Sequence, residues 1–472
     1  MRTDQGADEW ARRRWQALAV CLVAAFMTLL DVSIVNVALP SIRSSLHASP
    51  GGLQWILSGY ALTFGLILVP SGRLGDARSR RAVFMAGLVL FTLARAAAGI
   101  AQTIGWLIIA RLVQGMAGGL LNPQIAGLIQ ILFRGRERAR AFGGLGATIG
   151  IATAAGPLIG GALIALAGAQ EGWRWVFYVN LPVGLIALPL AWRLLPPPSG
   201  SRRRESLDLV GVVLLGVGVV ALLLPFVQEQ EWHGNTKWLL LPAAVILLAI
   251  FLGWERRQGE PMMDLTLFRL RSYALGSTIA LFYFAGFTAI FFIFTLYLQN
   301  GLHYTALLAG LAITPFALGS GAAAAVGGRI VYRFGPPLVA VGLALVAVGL
   351  AATFLAVHVT PDRHVALATA APLLLAGLGS GLVITPNQTI TLSEVPPEGG
   401  GSAAGVLQTG QRIGTAVGIA AVGAVFFAVV AGSRGDWAAA FRHGLVVVIA
   451  FVLFALCAAL ADLAASRRSP QE

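Results

Sequence analysis

Long runs of apolar residues alternate with short polar segments along nearly the whole chain. A helix needs about 20 apolar residues to cross the hydrocarbon core of a bilayer. Repeated runs of this length predict an all-α polytopic membrane protein. We predict fourteen crossing helices, at about 16–38, 53–72, 82–101, 106–130, 142–167, 175–195, 208–227, 238–254, 273–298, 306–328, 336–357, 366–390, 402–430 and 442–464.

The polar segments between these runs differ in charge, and the difference predicts the direction in which each helix crosses. With the N-terminus placed inside, the inner segments carry 24 of the 33 basic residues and the outer loops carry six. Basic residues favour the cytoplasmic side of a membrane. We therefore expect a multi-pass protein of the cell membrane (inner or plasma membrane) with both termini in the cytoplasm.

A stretch rich in Pro, Gly and Ser, PPPSGSRRR at 196–204, divides the runs into groups. Such a sequence forms a flexible or extended linker. The interiors of the next two runs carry no polar side chain, so we expect them to face lipid rather than an aqueous path. The predicted organisation is six, two and six helices: an N-terminal half at 1–195, a cytoplasmic linker at 196–207, two additional lipid-facing helices at 208–254, and a C-terminal half at 255–472.

Composition argues against a soluble protein and against several kinds of partner. The chain is 57% hydrophobic and 11% charged, whereas a soluble domain has about 25% charged residues. Its net charge of +13 is spread over the inner segments instead of one face, so we expect no nucleic-acid partner. The only lysine, Lys237, follows a threonine, so the Gly-Lys-Ser/Thr sequence of a phosphate-binding loop is absent. No histidine has the spacing of a zinc ligand, and we predict no metal site and no enzymatic activity.

Two short arginine-bearing turns occupy corresponding places in the two predicted halves. Residues 72–81 read GRLGDARSRR after the second run, and residues 328–337 read GRIVYRFGPP after the tenth. Internal repeats of this kind are common in transporters whose two halves surround a site near the middle of the membrane. The chain is therefore predicted to contain two pseudo-symmetric halves.

The first of these turns resembles the signature loop of the major facilitator superfamily, a Gly-x-x-x-Asp-Arg-x-Gly-Arg-Arg pattern. The matching residues are Gly72, Asp76, Arg80 and Arg81, and the departures are Ala77 and Ser79. Other stretches resemble the fourteen-helix drug:proton antiporters of that superfamily (EmrB/QacA-like). They are LDVSIVNVALP at 30–40, RLVQGMAGG at 111–119, GPLIGG at 156–161, WRWVFYVNLP at 173–182 and FTLYLQNGLHYTALLAGLAITP at 294–315.

This resemblance implies a major facilitator fold in which the first and fourth helices line a central cavity. It implies export of an organic molecule in exchange for a proton. It also implies a conformational gate in which the signature aspartate helps to lock one conformation. The gate residues that it gives are Gly72, Asp76, Arg80 and Arg81, with Gly156 and Pro157 from an antiporter motif on the fifth helix.

Asp31 is the only carboxylate well inside any predicted run, and we expect it to carry the coupled proton. A charged Asp in mid-membrane costs about 2.5–3.5 kcal/mol on insertion scales, so its presence indicates a use or a partner. Counted from the predicted outer ends at 1.5 Å per residue, Asp31 lies about 12 Å deep and Arg111 about 9 Å deep. We therefore predict that Arg111 pairs with Asp31. A static ion pair that joins two helices is the alternative.

A polar stripe on the thirteenth predicted helix is the candidate substrate path. Its members follow i, i+3, i+4, i+7 spacing, and polar groups at this depth should face a cavity. We expect them to face three polar residues of the N-terminal half across that cavity. The stripe is Gln408, Gln411, Arg412 and Thr415, and the opposing residues are Asn36, Tyr60 and Gln114.

The function expected from these features is proton-coupled efflux of drugs or other small amphipathic organic molecules by alternating access. The alternative is a specialist exporter of a single metabolite, antibiotic or lipid. A membrane sensor or scaffold is disfavoured because no loop is long enough to form an output domain. The expected partners are the substrate, protons and the lipid bilayer, with a monomeric protein, no cofactor, and a proton gradient as the energy source.

Overall fold

The computed structural model describes residues 2–168, 170–197, 208–227, 232, 234–258, 264–433 and 435–466. Within these ranges the regular structure is helical. The α-helices are α1 (Arg2–Leu46), α2 (Pro50–Leu74), α3 (Arg80–Gly99), α4 (Ile104–Leu132), α5 (Gly135–Ala167), α6 (Gly172–Tyr178), α7 (Leu181–Leu194), α8 (Leu209–Val227), α9 (Leu240–Glu255), α10 (Arg271–Leu296), α11 (Ala306–Phe334), α12 (Pro336–Val359), α13 (Val365–Thr391), α14 (Gly400–Gly432) and α15 (Trp437–Ser466).

The predicted number of membrane crossings is wrong. Within the described ranges, twelve helical segments are long and apolar enough to cross a membrane, whereas the sequence predicted fourteen. The predicted runs 53–72 and 82–101 both overlap one helical segment of 45 residues, Trp55–Gly99, because a π-helical turn joins α2 to α3 without a loop. The predicted run 208–227 corresponds to α8, Leu209–Val227, whose segment Val210–Leu222 is a shorter apolar helix that is not among these twelve.

Helix pairing repeats between the beginning and the end of the chain. In the first set of helices, α1 packs on α5, and α4 packs on both α2 and α3. In the second set, α10 packs on α14, and α13 packs on both α11 and α12. The two sets meet along α5 and α11 on one side, and along α2 and α14 on the other. Any change in the relative position of the two sets must therefore move these two seams.

Small residues make the seam between α5 and α11 unusually close. A Cβ at Gly328 would lie 2.5 Å from the Gly143 Cα, and one at Gly150 would lie 2.7 Å from the Gly321 nitrogen. Pro157 continues the same seam, because a Cβ at Gly310 would lie 2.6 Å from the proline Cβ. Such contacts let two backbones approach without interlocking side chains.

The segment between the two sets of helices packs over the other seam. On α8, Leu215 and Val219 belong to a buried apolar cluster with Leu62 and Val69 of α2 and Phe251 of α9. The opposite face of α8 leaves Val210, Val213 and Val217 exposed. Of the predicted linker at 196–207, residues 198–207 lie outside the described part of the chain.

Large apolar side chains cover much of the outer surface of the helices. Leu93, Ile109, Leu185, Leu318 and Leu367 are each more than half exposed, and they lie on five different helices. A soluble monomer rarely exposes apolar area on this scale. The distribution fits a multi-pass membrane protein whose outer surface contacts lipid.

Candidate functional site

The signature loop contacts the second set of helices through Asp76. Its Oδ2 accepts hydrogen bonds from the Ser402 backbone N–H and hydroxyl, both at 2.8 Å, and its Oδ1 accepts one from the Gly401 N–H at 3.2 Å. These donors belong to the first turn of α14, where the free N–H groups and the helix dipole favour a negative charge. A carboxylate at residue 76 therefore fastens the α2–α3 turn to the start of α14.

Arg80 completes this connection from the next turn of the chain. Its Nε lies 2.8 Å from the Asp76 Oδ1, and its Nη2 donates to the carbonyls of Pro397 and Glu398 at 2.6 and 2.9 Å. Nη1 donates to the Gly127 carbonyl of α4 at 3.2 Å. A buried guanidinium needs several acceptors, and here they come from both sets of helices. The two sets of helices are thus joined at the end that carries Asp76.

Close backbone packing supports the same connection between α2 and α14. A Cβ at Gly72 would overlap the Gly401 carbonyl and lie 2.9 Å from the Ser402 nitrogen. Glycine at residue 72 is therefore required for α2 and α14 to meet. Pro70 lies inside α2 two residues earlier.

The structure places the other predicted gate residues elsewhere. Arg81 stacks on the Trp192 ring of α7 with its guanidinium 4.7 Å from the ring centroid, and it donates to the Trp192 carbonyl. It therefore contacts its own half and not α14. Gly156 faces Ser33 of α1, where a Cβ would clash, and Pro157 lies on the seam with α11. The structure thus brings Gly72, Asp76 and Arg80 together and leaves Arg81, Gly156 and Pro157 outside this cluster.

Asp31 of α1 lies in a cage of hydrogen-bond donors from two other helices, α3 and α4. The Arg111 Nη1 lies 2.5 Å from its Oδ2, the pairing that the sequence predicts. Arg95 of α3 forms an ion pair with Oδ1, and Gln114 Nε2 donates to the same oxygen at 2.9 Å. Asp31 and Arg95 are 0% exposed and Arg111 is 1% exposed. Gln114, predicted to line the substrate path, therefore belongs to the cage.

Backbone carbonyls hold both arginines of this cage in place. Arg95 donates to the carbonyls of Phe177 and Val176 at 3.0 and 2.6 Å. Arg111 donates to the Ile56 carbonyl at 3.0 Å and to the Gln114 Oε1 at 2.9 Å. Two guanidinium groups share one carboxylate, so the ionised cage has a net charge of +1. An excess charge away from water is costly, which makes the position of each partner important.

A row of stacked groups connects this cage to the second half, and we call it the aromatic ladder. The Arg111 guanidinium lies 4.3 Å from the centroid of the Tyr60 ring. The rings of Tyr60 and Phe64, one turn apart on α2, have centroids 5.8 Å apart. The Arg412 guanidinium of α14 lies 4.3 Å from the Phe64 centroid. Cations over aromatic faces are attracted to them, so each ladder contact is favourable.

The remaining residues of the predicted path divide into two groups. Gln408, Gln411 and Arg412 on α14 are partly exposed although they lie within a crossing helix, and Asn36 on α1 is exposed. Tyr60 is buried in the ladder, and Thr415 lies 3.1 Å, oxygen to oxygen, from Thr288 of α10. Partial exposure of polar groups at this depth indicates an aqueous space next to α14.

Cysteine at residue 408 or 411 should react with water-soluble thiol reagents if that space contains water. The matched control is cysteine at Thr409, which is buried on the opposite side of α14. The variants would be made after Cys21 and Cys457 are changed to Ala, and labelling with a charged maleimide would be measured in membranes. Equal protection of all three cysteines would contradict a water-filled space at α14.

Comparisons with known proteins identify the family of the chain. The family model described as Major Facilitator Superfamily matches residues 21–419. The chain belongs to the Major Facilitator Superfamily. This facilitator is similar to the "Probable actinorhodin transporter" of Streptomyces coelicolor, with 35% identity over 431 residues, 90% of this chain and 74% of that protein. It is also 36% identical over 409 residues to the "Multidrug resistance protein Stp" of Mycobacterium tuberculosis, covering 85% of this chain and 74% of that protein.

A solved structure agrees with the fold of this facilitator. The proton:xylose symporter XylE, bound to 6-bromo-6-deoxy-D-glucose, superposes with a TM-score of 0.66 over 95% of each chain at 16% identity. Identity at this level shows a shared fold and nothing about substrates. Together with the family match, it establishes that the chain is a major facilitator transporter whose relatives include proteins named for antibiotic transport or multidrug resistance.

Sequence reasoning missed several residues of these clusters in the facilitator. Arg95 is the second cation of the cage, and the sequence alone does not assign it to Asp31. Ser402 and the residues from Pro397 to Gly401 carry no motif that marks them as partners of Asp76. The available signal was an arginine inside an apolar run, because such a residue requires an internal acceptor.

Proposed function

We propose that this facilitator exports small amphipathic organic molecules in exchange for protons, and that Asp31 carries the proton. The cage around Asp31 is the observation that carries this proposal. It is the one place in the described core where two arginines from different helices share one carboxylate. Intramembrane ionisable groups of this kind mark proton and ion pathways in transporters.

The chemistry of the cage couples a proton to movement. The ionised carboxylate of Asp31 holds Arg95 and Arg111. Protonation removes its negative charge and weakens both ion pairs. Protonation therefore releases α3 or α4 from α1, and separation of these helices in turn favours protonation. Because Arg111 also stacks on Tyr60, its displacement disturbs the aromatic ladder that leads to Arg412.

The Asp76 cluster supplies the alternation of access. Its hydrogen bonds close one end of the bundle by fastening the first set of helices to α14. We place this end in the cytoplasm, because the inner segments carry most of the basic residues. The structure then represents a state closed to the cytoplasm, in a cell membrane with both termini inside. The neighbouring Ala77 and Ser79, which depart from the signature, do not prevent this closure.

This proposal allows either a broad or a narrow substrate range. Efflux of several drugs is the first, and export of a single metabolite or antibiotic is the second. The names of relatives favour both, since one is named for actinorhodin and another for multidrug resistance. A panel of compounds tested in cells that express the transporter separates the two, because only the first form protects against unrelated molecules.

Proton-coupled efflux is tested with the purified full chain in proteoliposomes. A proton gradient directed into the vesicles should drive a dye substrate out of them. A pH indicator trapped inside the vesicles should report proton entry only when the dye is present. The gradient should lose its effect when a protonophore is added. If neither an inward nor an outward proton gradient changes the rate of dye movement, proton coupling is contradicted.

A further inference from the structure

The core of the bundle contains more positive than negative groups. Among the described residues well inside the helices, the arginines are Arg95, Arg111 and Arg412, and the carboxylate is Asp31 of α1. A guanidinium group stays protonated in proteins. Three positive charges and one negative charge leave a net charge of +2 in this region. A low-dielectric interior makes such an excess costly unless a counter-ion enters.

Asp31 cannot serve as the counter-ion of Arg412. Both of its oxygens are engaged by Arg95, Arg111 and Gln114. Arg412 lies at the other end of the aromatic ladder, with Tyr60 and Phe64 between it and the cage. It forms no ion pair with any described residue. Its charge is therefore uncompensated within the part of the chain that the structure describes.

Arg412 is deep but remains accessible. It lies 12 residues from the start of α14, about 18 Å along the helix. One face of its guanidinium covers the Phe64 ring, and the side chain remains partly exposed beside Gln408 and Gln411. An arginine held against an aromatic ring offers its N–H edge to a planar acceptor group. The two amides beside it provide further donors.

The helix beside α14, α10, carries partly exposed aromatic side chains. Phe287 and Phe291 of α10 pack against Phe316 of α11 in tilted and edge-to-face arrangements, with ring centroids 5.9 and 5.1 Å from it, and both remain partly exposed. α10 lies beside α14, as the contact between Thr288 and Thr415 shows. Aromatic rings of this kind suit a flat unsaturated skeleton better than an aliphatic chain.

We propose that the transported substrate is an aromatic organic anion, whose carboxylate, sulfonate or phenolate group pairs with Arg412. This assignment rests on the export function proposed above and gives it a substrate class. The anion supplies the charge that Asp31 cannot, and the phenyl-lined surface holds its ring system. A cation of the same shape meets a site with a net positive charge and binds weakly.

Two dyes with the same ring skeleton and opposite charge test this assignment. Fluorescein is anionic at pH 8 and rhodamine 123 is cationic, and binding of each to the detergent-solubilised full chain is followed by fluorescence anisotropy. Wild type should bind fluorescein more tightly. Arg412→Gln should weaken fluorescein binding by about 10- to 100-fold, the usual range for a lost hydrogen bond to a charged group, and should not weaken rhodamine 123 binding.

Further variants separate charge from shape. Arg412→Lys should retain most of the preference for fluorescein. Gln408→Glu places a carboxylate one helical turn before Arg412, so it should reduce the preference while the arginine remains in place. Arg43→Gln removes one positive charge from the exposed end of α1 and should change neither affinity. Elution as a single species on size-exclusion chromatography would show that each variant is folded.

The outcomes distinguish this assignment from the export proposal, because equilibrium binding needs neither a proton gradient nor vesicles. Equal affinity for the two dyes, tighter binding of rhodamine 123 by wild type, or equal losses in Arg43→Gln and Arg412→Gln would each overturn the anion assignment. If the proteoliposomes show no dye export but the protein still prefers fluorescein, the export proposal is contradicted and the anion assignment is not.

Discussion

Replacing Asp31 with Asn should abolish proton-driven transport and lower stability. The substitution removes the only negative charge of the cage and leaves Arg95 and Arg111 buried without a counter-ion. Breaking a buried ion pair in this way costs about 3–5 kcal/mol. We expect a lower midpoint of thermal unfolding in detergent, and dye transport in proteoliposomes that no longer responds to a pH gradient.

A double substitution separates the proton carrier from a static ion pair. Asp31→Asn combined with Arg95→Gln returns the cage to a net charge of +1, the value of the ionised wild-type cage. This variant should regain much of the lost stability. If Asp31 carries the proton, coupling stays absent in the double variant. Recovery of gradient-driven transport would instead show that the cage is architectural and that the proton binds elsewhere.

Asp76→Asn should open the closed end of the bundle. The carboxylate accepts bonds from Gly401, Ser402 and Arg80, and an amide cannot accept all of them. Loss of a hydrogen bond to a charged group costs about 1.5–3 kcal/mol, so the equilibrium between closed and open states should shift by about tenfold or more. Transport should fall, because the outward-open half of the cycle becomes less populated.

A cysteine at residue 130 reports this opening directly. Gln130 is buried beneath the closure, against Gly400, so a thiol there should be shielded while the end is closed. In a background without Cys21 and Cys457, Asp76→Asn should increase its labelling rate by a similar factor. Arg81→Gln is the matched control from the same loop, because Arg81 contacts Trp192 and not α14. Unchanged labelling and transport in Asp76→Asn would remove Asp76 from the gate.

The sequence was sufficient to predict a helical membrane protein. It did not predict the number of crossing segments, because that number depends on where the helical backbone is continuous. Apolar runs of about 20 residues report the presence of crossing segments, since length and hydropathy set them. They do not show that a π-helical turn joins α2 to α3 without a loop, which merges two predicted segments into Trp55–Gly99.

The candidate sites show the same division between local and distant information. The pairing of Asp31 with Arg111 follows from their similar depth, a property that is counted along each helix. The contribution of Arg95 also depends on the rotation of α3 about its axis, which neighbouring helices set. Similarly, Asp76 lies in a recognisable motif, but Ser402 is separated from it by 326 residues and carries no pattern of its own.

Pro70 weakens α2 between the part that carries the aromatic ladder and the part that meets α14. Tyr60 and Phe64 lie on one side of the proline, and Gly72 lies on the other. Proline removes one hydrogen bond from the helix and displaces the carbonyl four residues earlier, so α2 contains a joint instead of forming a stiff rod. The ladder and the closure can therefore move at different moments. A joint in this place lets substrate-induced movement begin while the barrier to the opposite compartment still holds, which limits leakage during the transport cycle.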